Sequence, residues 1–151
     1  MNRVLSLYHF TTKENLEKIL EDGYLRPYES VMGNGIYFIA NMDKNLLQKR
    51  KQITMFGNYV IELDKNILDN RKDFYIREAF NEYNLELYGG KIVFNMKDGN
   101  KKKLDKVVKK LTLLNEIVFT NKISLKKYMK NIYKVELGKN INNTKLIKFK
   151  K

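Results

Sequence analysis

Hydrophobic and polar residues follow two periods along this chain, and the period predicts whether a segment forms a strand or a helix. Alternating or short unbroken apolar runs, rich in β-branched and aromatic residues, predict strands at residues 4–10, 36–40, 58–63, 91–96, 117–120 and 132–137. Apolar positions three and four residues apart predict helices at residues 12–22, 43–53 and 101–111, with a short one after Ser124. Residues 75–88 are rich in aromatic side chains and fit either element.

The first predicted helix has start and stop signals of its own. Thr11 or Thr12 is a good N-cap, and Glu14, three residues after Thr11, completes a capping box. Gly23 supplies the C-terminal stop. The apolar stripe of this helix consists of Leu16, Ile19 and Leu20. Residues 26–34 hold the only proline together with Ser, Gly and Asn, so they predict a loop long enough to reach over a site.

Strands therefore dominate, and helices are inserted near the N-terminus and between the later strands. This order favours an α+β fold over alternating βαβ units. The length predicts one domain over residues 1–151, and we expect its Lys- and Asn-rich tail, residues 139–151, to fray. Gly33 and Gly35 precede a strand instead of following one, so the phosphate-binding arrangement of a glycine-rich turn at a helix N-terminus does not apply.

The balance of charge is strongly basic. The 30 Lys and Arg residues against 17 Asp and Glu residues give a formal net charge of +13, while an apolar share of 43% argues against a wholly disordered basic tail. A polyanionic partner would explain this charge, and so would the Lys-, Asn- and Ile-rich usage of an AT-rich coding sequence, and both explanations stay open. In the predicted helix 101–111 the lysines point outward, as on an ordinary solvated helix face.

Several kinds of chemistry are excluded by composition. The chain has no cysteine, which rules out disulfides, thiolate zinc sites and a catalytic thiol. It has a single histidine, His9, which rules out two-histidine metal sites, so we expect no metal. The first fifteen residues hold no signal-peptide core, and no apolar run approaches the length of a membrane span. We therefore expect a soluble cytoplasmic protein with no membrane partner.

Three motifs that follow one another along the chain contain His9, Tyr37 and Glu116. The stretch LYHFTT carries His9 at the end of the first strand, and the helix NLEKILEDG follows at residues 15–23. GNGIYF then carries Tyr37, and LNEIVF carries Glu116 at the start of a late strand. This ordered set resembles the ADP-ribosyltransferase superfamily of the His-Tyr-Glu type, which includes diphtheria-type toxins and poly-ADP-ribose polymerases. The opening motif and the segment ISLKKYMKNIYKV at residues 123–135 are similar to bacterial toxins that ADP-ribosylate DNA.

The resemblance implies a split β-sandwich core of two small sheets with flanking helices, and an NAD-dependent mono-ADP-ribosyltransferase with NAD as co-substrate. In such an enzyme Glu116 would stabilise the positive charge that develops on the ribose and help to deprotonate the acceptor. His9 would orient the dinucleotide, and Tyr37 would stack on the nicotinamide ring. These three residues would be catalytic. The residues that would bind NAD are His9, Phe10, Thr11, Gly35, Tyr37 and Phe38.

The chain departs from the family pattern at positions that bear on cofactor stacking and on the acceptor. Gln48 stands where polymerase-like members have a second stacking tyrosine, and Phe56 is the alternative aromatic residue. Leu114, two residues before Glu116, is neither Glu nor Gln, which argues against arginine as the acceptor. The Arg-rich motif that the DNA-modifying toxins carry after the second strand has only the basic run 49–51 as a counterpart.

We therefore expect a toxin or an effector of a phage or another mobile element, which transfers ADP-ribose to a macromolecule. DNA or RNA is favoured as acceptor over a side chain of a host protein, and an antidote protein would be a further partner. Two other functions stay open. One is the NAD-dependent removal of a 2′-phosphate from RNA, which normally uses several Arg and His residues. The other is a non-catalytic basic module that binds nucleic acid.

Overall fold

The computed structural model describes residues 6–28, 35–40, 57–78, 91–112, 115–136 and 145–148. Within them the strands are β1 Ser6–Thr11, β2 Tyr24–Leu25, β3 Ile36–Phe38, β4 Tyr59–Asp64, β5 Phe74–Glu78, β6 Ile92–Asn95, β7 Asn115–Phe119, β8 Ile123–Ser124, β9 Met129–Glu136 and β10 Lys145–Lys148. The helices are α1 Lys13–Asp22, α2 Ile67–Asn70, α3 Lys101–Val108 and α4 Leu125–Tyr128, with a single 3₁₀ turn at Met96–Asp98.

The described strands form two four-stranded sheets and one small pair. The first sheet has the order β1-β4-β9-β10, the second has the order β3-β7-β5-β6, and β2 pairs with β8. Neighbouring strands in all three run antiparallel. Antiparallel sheets combined with separate helices are the mixed architecture expected of an α+β chain.

The two large sheets meet where β1 lies beside the end of β3. Tyr8 and Ile39 form an antiparallel bridge, in which the Tyr8 amide donates to the Ile39 carbonyl at 2.9 Å and the Ile39 amide donates to the Tyr8 carbonyl at 3.0 Å. This bridge joins the first sheet to the second through backbone hydrogen bonds. His9, the next residue of β1, and Tyr37, two residues before Ile39, are consequently held close to each other at the joint.

The main core contains apolar side chains from both sheets. Phe38, Phe74 and Phe119 of the second sheet pack ring against ring, with centroids 5.6 Å apart between Phe38 and Phe119 and 5.1 Å apart between Phe74 and Phe119. The fully buried side chains that join this cluster from β1, β4 and α1 are Leu7, Ile61, Leu63 and Leu16. Because successive strand residues point to opposite faces, the neighbours of the three phenylalanines lie on the outer face of the second sheet.

The ends of α1 follow local capping rules. Thr12 is the N-cap, and its Oγ1 accepts a hydrogen bond from the Asn15 amide at 3.1 Å. Gly23 ends the helix in the left-handed conformation with φ 82°, and its amide donates to the Ile19 carbonyl at 2.8 Å, as predicted. Thr11 belongs to β1, so a capping box starting from Thr11 is wrong: the third residue of the helix is Asn15.

The predicted strands and the helix at 101–111 are confirmed in outline, with shifted ends. Asn100 caps α3 by accepting a hydrogen bond from the Lys103 amide at 2.9 Å, and Leu104 is buried as the apolar stripe predicts. The ambiguous segment 75–88 begins as strand β5. The remaining predictions concern residues outside the described ranges. They are the helix 43–53 with Gln48 and the run 49–51, the loop tip 29–34, Phe56, Leu114 and the remainder of 75–88.

One prediction about the tail is wrong. Residues 145–148, which were expected to fray, form β10 and pair with β9, with Lys145 opposite Glu136 and Lys148 opposite Tyr133. Polar composition favoured disorder, but β9 presents an edge of backbone groups whose hydrogen bonds a fourth strand can satisfy. None of the helices in the described part of the chain combines the length and the apolar character needed to cross a bilayer.

A buried carboxylate, Glu62 of β4, ties three strands of the first sheet together. Its Oε1 accepts hydrogen bonds from Asn131 Nδ2 at 2.9 Å and from the Tyr133 hydroxyl at 3.1 Å, and its Oε2 accepts one from the Tyr8 hydroxyl at 3.3 Å. Burial by itself would raise the pKa of Glu62, but the hydrogen bonds outweigh it and the pKa is lowered. Burial and the Glu62 charge together raise the pKa of Tyr8 to about 12. Glu62 is thus an ionised structural anchor.

Candidate active site

The three residues singled out by the sequence are His9 of β1, Tyr37 of β3 and Glu116 of β7. Tyr37 is paired with Val118 across β3 and β7, and Glu116 is paired with Arg77 across β7 and β5. Strand alternation puts all four of these side chains on the outer face of the second sheet, opposite the phenylalanine core. His9 comes from β1 of the first sheet, and its ring contacts the Tyr37 carbonyl and the ring of Phe38, which faces the core.

His9 is held in one tautomer by a main-chain group. Its Nδ1 lies 2.9 Å from the carbonyl oxygen of Tyr37, and the residue is 8% exposed. A carbonyl oxygen can only accept a hydrogen bond, so Nδ1 carries the proton. Burial lowers the pKa of His9, and the hydrogen bond to Tyr37 raises it by a smaller amount. The imidazole is therefore neutral near pH 7, and Nε2 is the ring atom that can accept a hydrogen bond from a ligand hydroxyl.

This protonation state gives the first prediction. The unfolded chain binds a proton at His9 near the ordinary pKa of about 6.5, whereas the folded chain takes it up only at lower pH. The contribution of neutral His9 to the free energy of unfolding is therefore fully present above about pH 6.5. It is lost as the pH decreases through the pKa of the folded state. A proton titration followed by NMR will report one imidazole only, because the chain has a single histidine, and its midpoint is expected below about 6.5.

The same prediction can be checked by unfolding. Wild type and His9→Asn are compared in urea at about pH 7.5 and about pH 5.5, which brackets the titration of an unfolded histidine. The wild type is expected to lose more free energy of unfolding between the two values than the variant does. Equal losses in both proteins, or an imidazole midpoint above the ordinary value, would contradict a neutral buried His9.

The Tyr37 ring lies between another aromatic side chain and a cation. Its centroid is 5.8 Å from that of Tyr28 in an edge-to-face arrangement, and 5.2 Å from the guanidinium carbon of Arg77. Tyr28 is 48% exposed, so this aromatic pair extends from the sheet toward solvent. Burial raises the pKa of Tyr28, and the charges of Tyr37 and Glu116 raise it further.

Glu116 is buried in an ion pair that sequence reasoning missed. Its Oε1 accepts hydrogen bonds from Arg77 Nη2 at 2.6 Å and Arg77 Nε at 3.0 Å, and both residues are less than 10% exposed. The pairing register between β5 and β6 shifts between Ile76 and Arg77, an irregularity of the kind that re-aims side chains. Arg77 lies in the aromatic-rich segment that fits either helix or strand, and only the pairing of β5 with β7 brings it opposite Glu116.

A cleft of about 520 Å³ opens beside this site. Its lining comes from the end of β1, the exposed face of α1 and the segment leading to Tyr28, and consists of His9, Phe10, Thr11, Asn15, Lys18, Ile19, Asp22, Tyr24, Leu25, Arg26 and Tyr28. The predicted NAD-binding residues of β1 therefore share one wall. Tyr37 and Glu116 do not line the cleft in this structure, although Tyr28, which touches Tyr37, does.

The rim of the cleft is cationic and aromatic. The Arg26 guanidinium carbon lies 5.4 Å from the Tyr24 ring centroid, and Lys122 Nζ lies 4.7 Å from the same centroid. Arg26 also forms a surface ion pair with Asp22, with Nε 2.7 Å from Oδ2. Two cations beside one half-buried ring are suited to a ligand that carries both phosphates and flat bases.

Two of the predicted NAD contacts have a packing role in this structure. A Cβ on Gly35 would lie 2.5 Å from Val118 Cγ1, so glycine is required there for β3 to approach β7. Phe38 is 1% exposed, and its ring lies 5.5 Å from the His9 ring and inside the core. The Phe38 side chain therefore packs against His9 from the core. Tyr37, its neighbour on the strand, faces the opposite side of the sheet.

Neither a metal site nor a relative helps to assign this region. Among the described residues no group of three or more His, Asp or Glu side chains is placed to hold a metal ion. Comparison of the chain with protein-family models, with curated proteins and with solved structures gave no match.

Proposed function

We propose that this chain is an NAD-dependent mono-ADP-ribosyltransferase with His9, Tyr37 and Glu116 at its centre. The observation that supports the proposal is a chain of contacts that links these three residues, which are far apart in sequence, through the Tyr37 main chain and through Arg77. His9 is bound to the Tyr37 carbonyl, and Arg77 bridges the Tyr37 ring and the Glu116 carboxylate. A split β-sandwich of the transferase type is the finer fold that we propose for the two sheets.

The proposed reaction breaks the bond between the ribose C1′ and the nicotinamide nitrogen. The bonding electron pair leaves with nicotinamide, which becomes neutral, and positive charge develops on the ribose. A fixed carboxylate at close range stabilises that charge, and burial strengthens the effect because the local dielectric constant is low. Glu116 supplies this carboxylate. A nucleophilic atom of the acceptor then bonds to C1′ and gives up its proton to Glu116 or to water.

The remaining side chains bind and orient the dinucleotide. Neutral His9 offers Nε2 as an acceptor for a ribose hydroxyl, which requires the tautomer that the Tyr37 carbonyl imposes. The Tyr37 ring provides a flat surface for the nicotinamide ring, and a cationic ring gains from an aromatic face. Phe10 and Thr11 line the cleft next to His9 and contribute main-chain and hydroxyl groups.

A nucleic acid is the acceptor class that the cleft rim favours. Tyr24 and Tyr28 present aromatic faces at the cleft, and Arg26 and Lys122 place positive charge beside Tyr24. An unpaired strand can stack its bases on such rings while its phosphates follow the cations. The net charge of +13 adds long-range attraction to a polyanion. A protein side chain is the alternative acceptor, and a toxin or mobile-element effector is the biological role that we propose.

The test is intact-mass measurement of candidate acceptors after incubation with the protein and NAD. Single-stranded DNA, RNA and a mixture of cytosolic proteins are each incubated, with and without NAD. The expected result is a mass increase equal to one ADP-ribose unit on a nucleic acid, together with release of nicotinamide. The same mass on a protein would move the acceptor to the alternative class. No mass increase and no nicotinamide release under any condition would overturn the proposed function.

A further inference from the structure

The ion pair between Arg77 and Glu116 conflicts with the task proposed for Glu116. A carboxylate stabilises a positive transition state through its charge, but a guanidinium 2.6 Å away neutralises most of that charge at short range. The pair is buried on both sides, with 6% of the Arg77 side chain and 10% of the Glu116 side chain exposed, so solvent weakens the neutralisation little. In the described state Glu116 is therefore not poised to stabilise a cation on a substrate.

The described cleft is lined by His9 and Tyr28 but not by Tyr37 or Glu116. Arg77 contacts both of the residues that are missing from the cleft wall, through hydrogen bonds to Glu116 and through its position over the Tyr37 ring. Arg77 therefore occupies both the Tyr37 ring and the Glu116 carboxylate, the two groups that the proposed reaction uses on nicotinamide and ribose.

We infer that Arg77 is a latch on the site: its guanidinium holds Tyr37 and Glu116 in the absence of substrate, and NAD binds by exchanging with it. This inference rests on the proposed function for the identity of the substrate. Nicotinamide in NAD is a flat cationic ring, and a guanidinium is a flat cation, so both suit an aromatic face beside a carboxylate. Arg77 is thus a positioning residue that determines how readily NAD enters.

The exchange has a thermodynamic consequence. When the competent state is only a fraction of the population, the apparent dissociation constant is the intrinsic one divided by that fraction. A substitution that weakens the interaction of residue 77 with Tyr37 and Glu116 raises the fraction of molecules that can bind NAD. The apparent dissociation constant for NAD then decreases. A residue that only aligned the carboxylate would behave differently, because its loss would lower kcat and leave the affinity for NAD unchanged.

The first experiment needs no turnover of NAD. Carboxylates accessible to solvent are coupled to an amine with a water-soluble carbodiimide, and the modified positions are found by peptide mass spectrometry. In wild type Glu116 is expected to be protected, as is Glu62, which is buried in the first sheet. In Arg77→Gln we expect coupling at Glu116 to be about tenfold faster than in wild type, which is the increase expected when a latch closed about nine-tenths of the time is removed. Glu62 should stay protected in this variant. Faster coupling at both carboxylates would signify general loosening and overturn the latch.

The second experiment measures NAD affinity by calorimetry, using the non-cleavable carbocyclic analogue of NAD. Arg77→Gln is expected to bind it about tenfold more tightly than wild type does, and Arg77→Lys, which keeps the charge, to lie between them. Arg71→Gln is the matched control, because Arg71 also pairs with a carboxylate, Asp73, and lies 5.4 Å from a ring, that of Phe119, outside the site. It should bind the analogue as wild type does.

The outcomes separate the two proposals. If wild type binds no NAD and releases no nicotinamide, the proposed function fails, while carbodiimide coupling at Glu116 still reports whether Arg77 closes the site. If wild type is an active transferase and the Arg77 variants bind the analogue no more tightly than wild type, the latch is overturned and the proposed function stands. Should Arg77→Gln not fold, Arg77→Lys decides by the same two measurements.

Discussion

The substitution Glu116→Gln is expected to lower the rate of NAD-dependent ADP-ribose transfer by about 10²- to 10³-fold, the range for loss of one well-placed electrostatic group. An amide keeps the shape of the side chain and can still accept a hydrogen bond from Arg77, but it carries no charge to stabilise a cation on the ribose. The affinity for NAD should change much less than the rate, because the charge matters chiefly once the bond to nicotinamide begins to break. Nicotinamide release measured by chromatography, at saturating NAD, gives the rate.

Glu62→Gln is the matched control. Glu62 is as buried as Glu116 and is also held by hydrogen bonds, yet it lies within β4 of the first sheet and anchors Tyr8, Asn131 and Tyr133. We expect this variant to be less stable than wild type but to transfer ADP-ribose within about twofold of the wild-type rate at a temperature where it is folded, as for a residue remote from the chemistry. Similar losses of rate in both variants, or a fully active Glu116→Gln, would remove Glu116 from the proposed reaction.

Gly57→Ala is expected to have the largest effect on folding. Gly57 has φ 120°, and a Cβ built there would lie 2.0 Å from the Thr11 carbonyl oxygen and 2.4 Å from the Thr12 amide nitrogen. These atoms belong to the backbone at the junction of β1 and α1, so no side chain can rotate to make room. Strained backbone and overpacking each cost on the order of 1–3 kcal/mol, so we expect a loss of about 3 kcal/mol or more. Urea unfolding followed by circular dichroism measures it.

A second glycine separates backbone strain from steric clash. Gly23 also has a positive φ, 82°, but a Cβ there meets no atom within 4 Å. Gly23→Ala should therefore show only the cost of a left-handed alanine, about 1 kcal/mol. Because Gly57 touches Thr11, which lines the cleft beside His9, Gly57→Ala should also weaken NAD binding in any fraction that folds, whereas Gly23→Ala should not. Equal losses of stability in the two variants would contradict the close approach of Gly57 to β1.

The fold was predictable where local signals are strong. The cap at Thr12, the left-handed Gly23 and the buried stripe of α3 follow from side-chain types and their spacing, because they depend on hydrogen bonds and contacts within a few residues. Prediction failed for residues 145–148, where a polar composition suggested disorder and pairing with β9 produced a strand. The composition of a segment does not show this pairing, because an exposed strand edge can recruit any segment that the chain brings near.

The candidate site residues came from motifs for a similar reason. His9, Tyr37 and Glu116 stand in short motifs within or next to predicted strands, and such positions can be found in the sequence. Arg77 could not be found, because its importance comes from the register that sets it opposite Glu116 and from its position over the Tyr37 ring. Phe38 was predicted as an NAD contact with Tyr37, but neighbours on a strand face opposite ways, and the ring of Phe38 lies in the core.

By itself the sequence determined that this protein is basic, has no cysteine and has a single histidine. It also determined that the chain forms mainly strands with a few capped helices. Those properties depend on composition and on interactions within a turn or two of chain. Only the tertiary structure decided that the Glu116 carboxylate is buried against Arg77, and that the cleft lined by His9 includes neither of these two residues. Burial and pairing between strands set the charge that a carboxylate can offer, and they arise from contacts between segments that are far apart in the sequence.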